Sequence, residues 1–159
     1  MSFIDEEGRD FFLVMHKHNV RFMLVGGIAV NYYGHSRSTG DIDIWVEDSA
    51  VNRQNLVLAL REYGITGAET FLTHPMLAGY SEILLESGVY IDMMCELQFF
   101  KKEHFDESYE KAEVFLIENN IPLKIIHLNR LIEEKKKSSR PKDRDDAEKL
   151  ELILQKRNK

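Results

Sequence analysis

The sequence predicts an α/β or α+β domain, a mixed β-sheet flanked by helices and closed by two C-terminal helices. Three observations carry this. The apolar run Phe22-Met23-Leu24-Val25 ends in Gly26-Gly27 and leads into a helix-like stretch. The segment Asp41-Ile42-Asp43-Ile44 alternates polar and apolar residues, as a half-buried strand does. The segment Gly88 to Cys95 reads as a buried strand bounded by glycine.

The elements follow in order. Asp5 to Asn19 reads as a helix with Phe12, Met15 and His16 on one side. Val20 to Val25 is the first strand, Ala29 to Tyr33 a helix stopped by Gly34, and Asp41 to Val46 the second strand. Ser49 is placed to cap a helix whose apolar face is Leu56, Val57 and Leu60, and Gly64 ends it. Between Thr70 and Leu85 the pattern is weak, with a loop at Thr73-His74-Pro75 and a strand from Tyr80. Tyr90 to Leu97 is the strand that carries Asp92. Glu113 to Ile117 and Ile121 to Ile126 flank a connection at Asn119-Asn120. Of the two terminal helices, the last sets Ala147, Leu150, Ile153 and Leu154 on one face. With 159 residues and no linker, repeat or low-complexity tract, the expectation is one domain spanning 1–159.

Candidate chemistry sits on the aspartates. In a strand, Asp41 and Asp43 point to one face, and Ile42 and Ile44 to the other. Two neighbouring carboxylates repel each other. A hard cation removes that conflict, and Mg²⁺ favours one or two carboxylates together with substrate phosphate oxygens. A two-metal site calls for a third carboxylate, and Asp92 is the candidate, lying between Ile91 and Met93 in an apolar strand. The competing reading of Asp92 is a strand-end aspartate that caps a loop.

Gly26 and Gly27 place backbone N–H groups at a helix N-terminus, where a phosphate binds without obstruction from side chains. Their alternative is a plain tight turn. The chain contains neither a G-x-x-x-x-G-K-[ST] loop nor a G-x-G-x-x-G fingerprint.

Taken together, the Gly-Gly pair, the spacer helix, Asp41-Ile42-Asp43-Ile44 and the later Asp92 resemble the nucleotidyltransferase superfamily of the DNA polymerase beta type. Arg37-Ser38-Thr39 before Asp41 is similar to its Arg-x-Thr-x-Asp-hydrophobic-Asp segment. Lys135-Lys136-Lys137, Arg140-Pro141-Lys142-Asp143 and Asp146 look like its late Lys…Arg-x-Lys-Asp-x-x-Asp motif. The resemblance runs from about Val20 to Leu150. It is nearest to small stand-alone bacterial and archaeal members, including minimal nucleotidyltransferases and abortive-infection type toxins of toxin–antitoxin pairs. It implies the nucleotidyltransferase fold and transfer of a nucleoside monophosphate from an NTP to a hydroxyl, with release of pyrophosphate. It also implies Asp41, Asp43 and Asp92 as catalytic and metal-binding residues, and two Mg²⁺ ions, with Mn²⁺ as a substitute. Gly26, Gly27, Arg37, Thr39 and Lys142 would serve the nucleotide. The acceptor would be RNA, a protein or a small molecule, with an antitoxin or other partner protein as a further expectation.

The late basic segment also reads as a helix–loop–helix with solvated charges, Pro141 at a helix start and Asp143 and Asp145 in its first turn. A formal net charge of −6 disfavours a general nucleic-acid binder. The absence of a membrane-length apolar run, the lack of a leader pattern and a single cysteine fit the cytoplasm, with no membrane partner. Cys95 reads as a small core residue.

Tyr32, Tyr33, Trp45 and Phe71 are the aromatic residues set to stack a base or to fill the core. Trp45 leads because it shares the strand face of Asp41 and Asp43. Three functions stand at this stage: an active nucleotidyltransferase, a toxin–antitoxin component with the same site, and a module that keeps the fold without turnover.

Overall fold

The computed structural model describes residues 4–36, 40–73, 81–118 and 120–159. Arg37, Ser38, Thr39, His74, Pro75, Tyr80 and Asn119, all named above, lie outside the described residues.

Helix α1 (Glu6–Lys17) is capped by Asp5, whose side chain accepts from the Gly8 amide at 2.8 Å. Phe12 and Met15 enter the core, while His16 stays exposed. Strand β1 (Phe22–Val25) is buried throughout and runs directly into α2 (Gly26–Tyr33). The glycine pair is thus the first turn of the helix rather than a separate turn before it. Gly34, at φ 113°, ends α2 in the left-handed conformation that glycine tolerates.

Strand β2 (Ile42–Val46) leads to α3 (Ala50–Tyr63). Ser49 caps α3 by accepting from the Asn52 amide at 3.1 Å, and Gly64 closes it, both as the sequence predicts. A one-turn helix, α4 (Thr70–Thr73), stands where the pattern was weak. The edge hairpin β3 (Ser81–Leu84) and β4 (Tyr90–Met94) follows. A short 3₁₀ turn at Lys102–His104 feeds α5 (Phe105–Lys111), a helix that the charged sequence there did not announce. It is held by two inward residues, Phe105 and Ser108.

A second hairpin, β5 (Glu113–Ile117) with β6 (Ile121–Ile125), precedes α6 (Leu128–Lys137) and α7 (Pro141–Arg157). Pro141 sits in the first turn of α7, where its missing N–H costs nothing.

The six strands form one mixed sheet in the order β3-β4-β2-β1-β6-β5. β1 pairs antiparallel with β2, while β2 with β4 and β1 with β6 are parallel. The core runs along the sheet through Met23, Leu24, Ile44, Ile91 and Met93, with α1, α3 and α6 supplying Phe11, Leu56, Leu60 and Leu131.

Trp45 takes the second of its two readings, core filling rather than base stacking. It is fully buried, donates from Nε1 to the Cys95 carbonyl at 2.8 Å, and meets Phe105 edge-on at 5.4 Å between ring centroids. Strand parity places it on the aspartate face, but α5 covers that end of the face. Tyr33 is likewise core, its hydroxyl donating to the Ile126 carbonyl at 2.6 Å. Cys95 is buried as expected, and burial pushes its thiol up to about 12. Among the described residues, no helix is long and apolar enough to cross a membrane.

Candidate active site

The parallel register of β2 and β4 sets Asp43 directly opposite Asp92. Neighbouring strands lie about 4.8 Å apart, so two same-face carboxylates at one register position meet. Burial first, then the charge of Asp92 and the proton that the two carboxyls can share, pushes the Asp43 carboxyl up to about 7, with Lys135 opposing. Asp92 is raised as well, by burial first and then by the charge of Asp41. One oxygen of Asp92, Oδ1, is buried with no hydrogen-bond partner.

Asp41 lies just before β2 rather than within it, and it is exposed. Its charge still raises both other aspartates. The three predicted carboxylates therefore act on one another electrostatically, with Asp43 and Asp92 in the closest relation.

Gly26 is required twice over. Its φ is 65°, which an L side chain adopts only under strain. A Cβ there would stand 2.9 Å from Cγ of Asp43 and closer still to its Oδ2. The bare backbone at the start of α2 thus lies against the carboxylate. Gly27, half-buried, is the next residue of the same turn.

Gly26, Asp43 and Asp92 open into a cleft of about 610 Å³. Its second wall is made by Met94 at the end of β4, by Gln98 and Lys101 beyond it, and by Glu134, Lys135, Ser138, Arg140 and Asp143 from α6 and the start of α7. A cavity of about 580 Å³, lined by Glu6, Glu7, Asp10 and Glu86, lies elsewhere and holds none of the three aspartates. Lys142, expected at the nucleotide, is exposed on α7, and Lys135, Ser138, Arg140 and Asp143 are the neighbours that reach the cleft.

Lys135 is the residue the sequence reading passed over, having set it in a general basic cluster. Leu128, Leu131, Ile132 and Lys135 recur at helical spacing and are all buried. A lysine in core register was the available signal. Its Nζ pairs with Asp143 and with the fully buried Asp146, each at 3.0 Å. Burial alone would raise Asp143, but hydrogen bonds from Ser138 and Lys135 hold it below the usual carboxylate range. The pairing fixes α6 to α7 and leaves Lys135 at the cleft wall.

Glu134 joins the two parts of that wall. Its two carboxylate oxygens accept from the backbone amides of Gln98 and Phe99, both at 2.8 Å. The segment after β4 is thereby tied directly to α6.

The donor set suits a hard cation. It is all carboxylate oxygen, one of those oxygens is orphaned, and two of the carboxyls hold raised proton affinities that a bound cation would displace. Asp43 and Asp92 are the cleft residues that could hold it; Asp41 does not line the cleft, and among the described residues its carboxylate does not group with theirs at the spacing a single ion needs.

No family model matches the chain, and no curated protein sequence matches it. Among solved structures, the chain is similar to an antigenic nucleotidyltransferase-like protein from Paracoccidioides brasiliensis. The TM-score is 0.52 at 14% sequence identity, over 91% of this chain and 72% of that one. At that identity the likeness is one of fold: a six-stranded mixed sheet with its helices, arranged as in a nucleotidyltransferase-like protein.

Proposed function

We propose that the protein is a divalent-metal-dependent nucleotidyltransferase. It would transfer a nucleoside monophosphate from an NTP to a hydroxyl acceptor and release pyrophosphate. The observation that carries the reading is Asp43 opposite Asp92 on adjacent parallel strands, with the side-chain-free backbone of Gly26 against Asp43 at the head of a helix. The nucleotidyltransferase-like fold supports it.

In this reading Asp43 and Asp92 hold Mg²⁺; the resemblance adds Asp41 and a second ion, with Mn²⁺ as a substitute. When bound, the metal neutralises charge that gathers on the phosphate oxygens. Asp92 accepts the proton of the attacking hydroxyl, whose oxygen bonds to the α-phosphorus as the bond to pyrophosphate breaks. The amides at the start of α2, Gly26 and Gly27 first, face the β- and γ-phosphates. Lys135 offers a buried cation on the facing wall, fixed in place by Asp143 and Asp146. Positioning and electrostatics carry most of such a transfer. Arg37, Thr39 and Lys142 remain nucleotide contacts by the resemblance alone, as does a toxin role with an antitoxin partner. Of RNA, protein and small molecule as acceptor, the net charge of −6 makes RNA the least favoured.

The test is calorimetric titration with each NTP, with and without Mg²⁺, for the wild type, Asp41→Ala and Asp43→Ala. Mg²⁺-dependent binding that both substitutions abolish is the expected result, followed by pyrophosphate release in an acceptor screen. Binding that ignores Mg²⁺, or that survives both substitutions, removes the reading. Mg²⁺-dependent binding without turnover on any acceptor supports the alternative, a nucleotide-binding module that keeps the fold.

A further inference from the structure

The residue after Gly34 reaches the second turn of α7, where Asp146 also pairs with Lys135. His35 Nε2 lies 3.6 Å from Oδ1 of Asp146 and 3.7 Å from Oδ2 of Asp145. Nε2 is buried and has no hydrogen-bond partner. These separations are too long for hydrogen bonds. They are close to what a shared ion demands: ligand atoms about 2.0–2.2 Å from a tetrahedral Zn²⁺ stand roughly 3.3–3.6 Å from one another. One potential ligand atom from each of the three residues falls within 4.8 Å of the others.

We infer that His35, Asp145 and Asp146 form a binding site for a divalent transition-metal ion, separate from the aspartates of the cleft. Each residue has a distinct part. Asp146 is fully buried and its Oδ2 is held by Lys135, so its Oδ1 is presented to His35 from a fixed carboxylate. Asp145 is more than half exposed and opens the site to solvent. His35 supplies an imidazole nitrogen. That donor favours Zn²⁺ and its neighbours over Mg²⁺, which prefers an all-oxygen set such as that of the cleft. Asp146 serves Lys135 with one oxygen and the ion with the other, linking the second site to the cleft wall.

The competing arrangement is a protonated His35 paired with both carboxylates, which would exclude a cation. Calorimetric titration of the full chain with Zn²⁺ separates the two. The variants are His35→Ala, Asp145→Asn and, as a cleft control, Asp92→Asn, each checked by thermal melting for an intact fold. With Mg²⁺ in excess to occupy the cleft carboxylates, one tight Zn²⁺ per wild-type chain is expected, weakened at least tenfold in His35→Ala and in Asp145→Asn and unchanged in Asp92→Asn. The ¹⁵N resonance of His35 Nε2 should move on Zn²⁺ addition. A wild type that binds no Zn²⁺, binding that survives both substitutions, or binding lost in Asp92→Asn overturns the assignment. None of these readouts depends on nucleotide, so the site stands or falls apart from the proposed transferase reaction.

Discussion

Gly26 and Asp43 are mutually exclusive with any side chain between them: a Cβ on Gly26 would enter the contact distance of the Asp43 carboxylate. Gly26→Ala therefore has two costs. The left-handed φ alone costs about 1–2 kcal/mol for a residue with a Cβ. The clash also displaces Asp43 from its place opposite Asp92. A denaturant melt should show at least the strain term, and Mg²⁺-dependent NTP binding should fall further than the stability loss explains. Gly34→Ala, at φ 113° but with only Ile153 nearby, is the control that carries strain without touching the carboxylates.

The raised Asp43 carboxyl sets the pH dependence of the metal-free protein. Its value moves from 3.8 to about 7 on folding. Between those limits the unfolded chain has released a proton that the folded chain keeps. Stability is thus highest below the unfolded value and falls as pH rises through the window, by up to about 1.4 kcal/mol per pH unit for an isolated group. In chelator, the melting temperature should decline from pH 5 to pH 7, and Asp43→Asn should flatten that decline. Mg²⁺ competes with the same proton, so its affinity should rise over this range. A wild-type curve no steeper than that of Asp43→Asn would count against the coupling.

Lys135→Met leaves Asp146 fully buried without its cation. Removing one partner of a buried pair costs about 3–5 kcal/mol. Urea titration should register a loss of that order. Lys136→Met, whose partner Glu151 is solvent-exposed, should cost about 1 kcal/mol or less.

Trp45→Phe keeps most of the ring but orphans the Cys95 carbonyl, a loss of about 1–3 kcal/mol. Because Trp45 lies in the core beside Phe105 and not at the cleft, NTP affinity should be unchanged in this variant. A specific loss of affinity with stability intact would return Trp45 to a stacking role.

Glu134→Ala releases the amides of Gln98 and Phe99. Hydrogen exchange at those two amides should accelerate, while global stability shifts by no more than about 1 kcal/mol. Equal acceleration along β4 would indicate a wider opening than the loss of this tie predicts.

What the sequence made legible was local. The cap at Ser49, the stop at Gly64, the first-turn proline at 141 and the hairpin strand Glu113–Ile117 all follow from residue type and spacing, and each is present. The aspartates could be named because carboxylates stand out in apolar strands. Their pairing could not, because strand parity fixes a face and says nothing about which strand lies alongside. The parallel neighbours β2 and β4 decide that Asp43 meets Asp92 and leave Asp41 at the margin. Trp45 shows the same limit from the other side: its face was read correctly, but α5, spelled mostly in charged residues, closes that end. Lys135 was legible by register with Leu131 and Ile132, and it was obscured by the two lysines that follow it.

The parallel neighbours also separate what the chain may vary from what it must keep. Asp43 and Asp92 are aligned by ladder register alone, while the chain between their strands leaves the sheet, builds α3 and α4 and returns through the edge strand β3. That excursion lies off the parallel ladder itself. Its loops can lengthen, shorten or acquire an added module, and the two carboxylates will still meet so long as α3 keeps Leu56 and Leu60 in the core and Ile42 faces Ile91. Descendants of such a chain could change what they recognise by rewriting the detour and leave the pairing of Asp43 with Asp92 untouched.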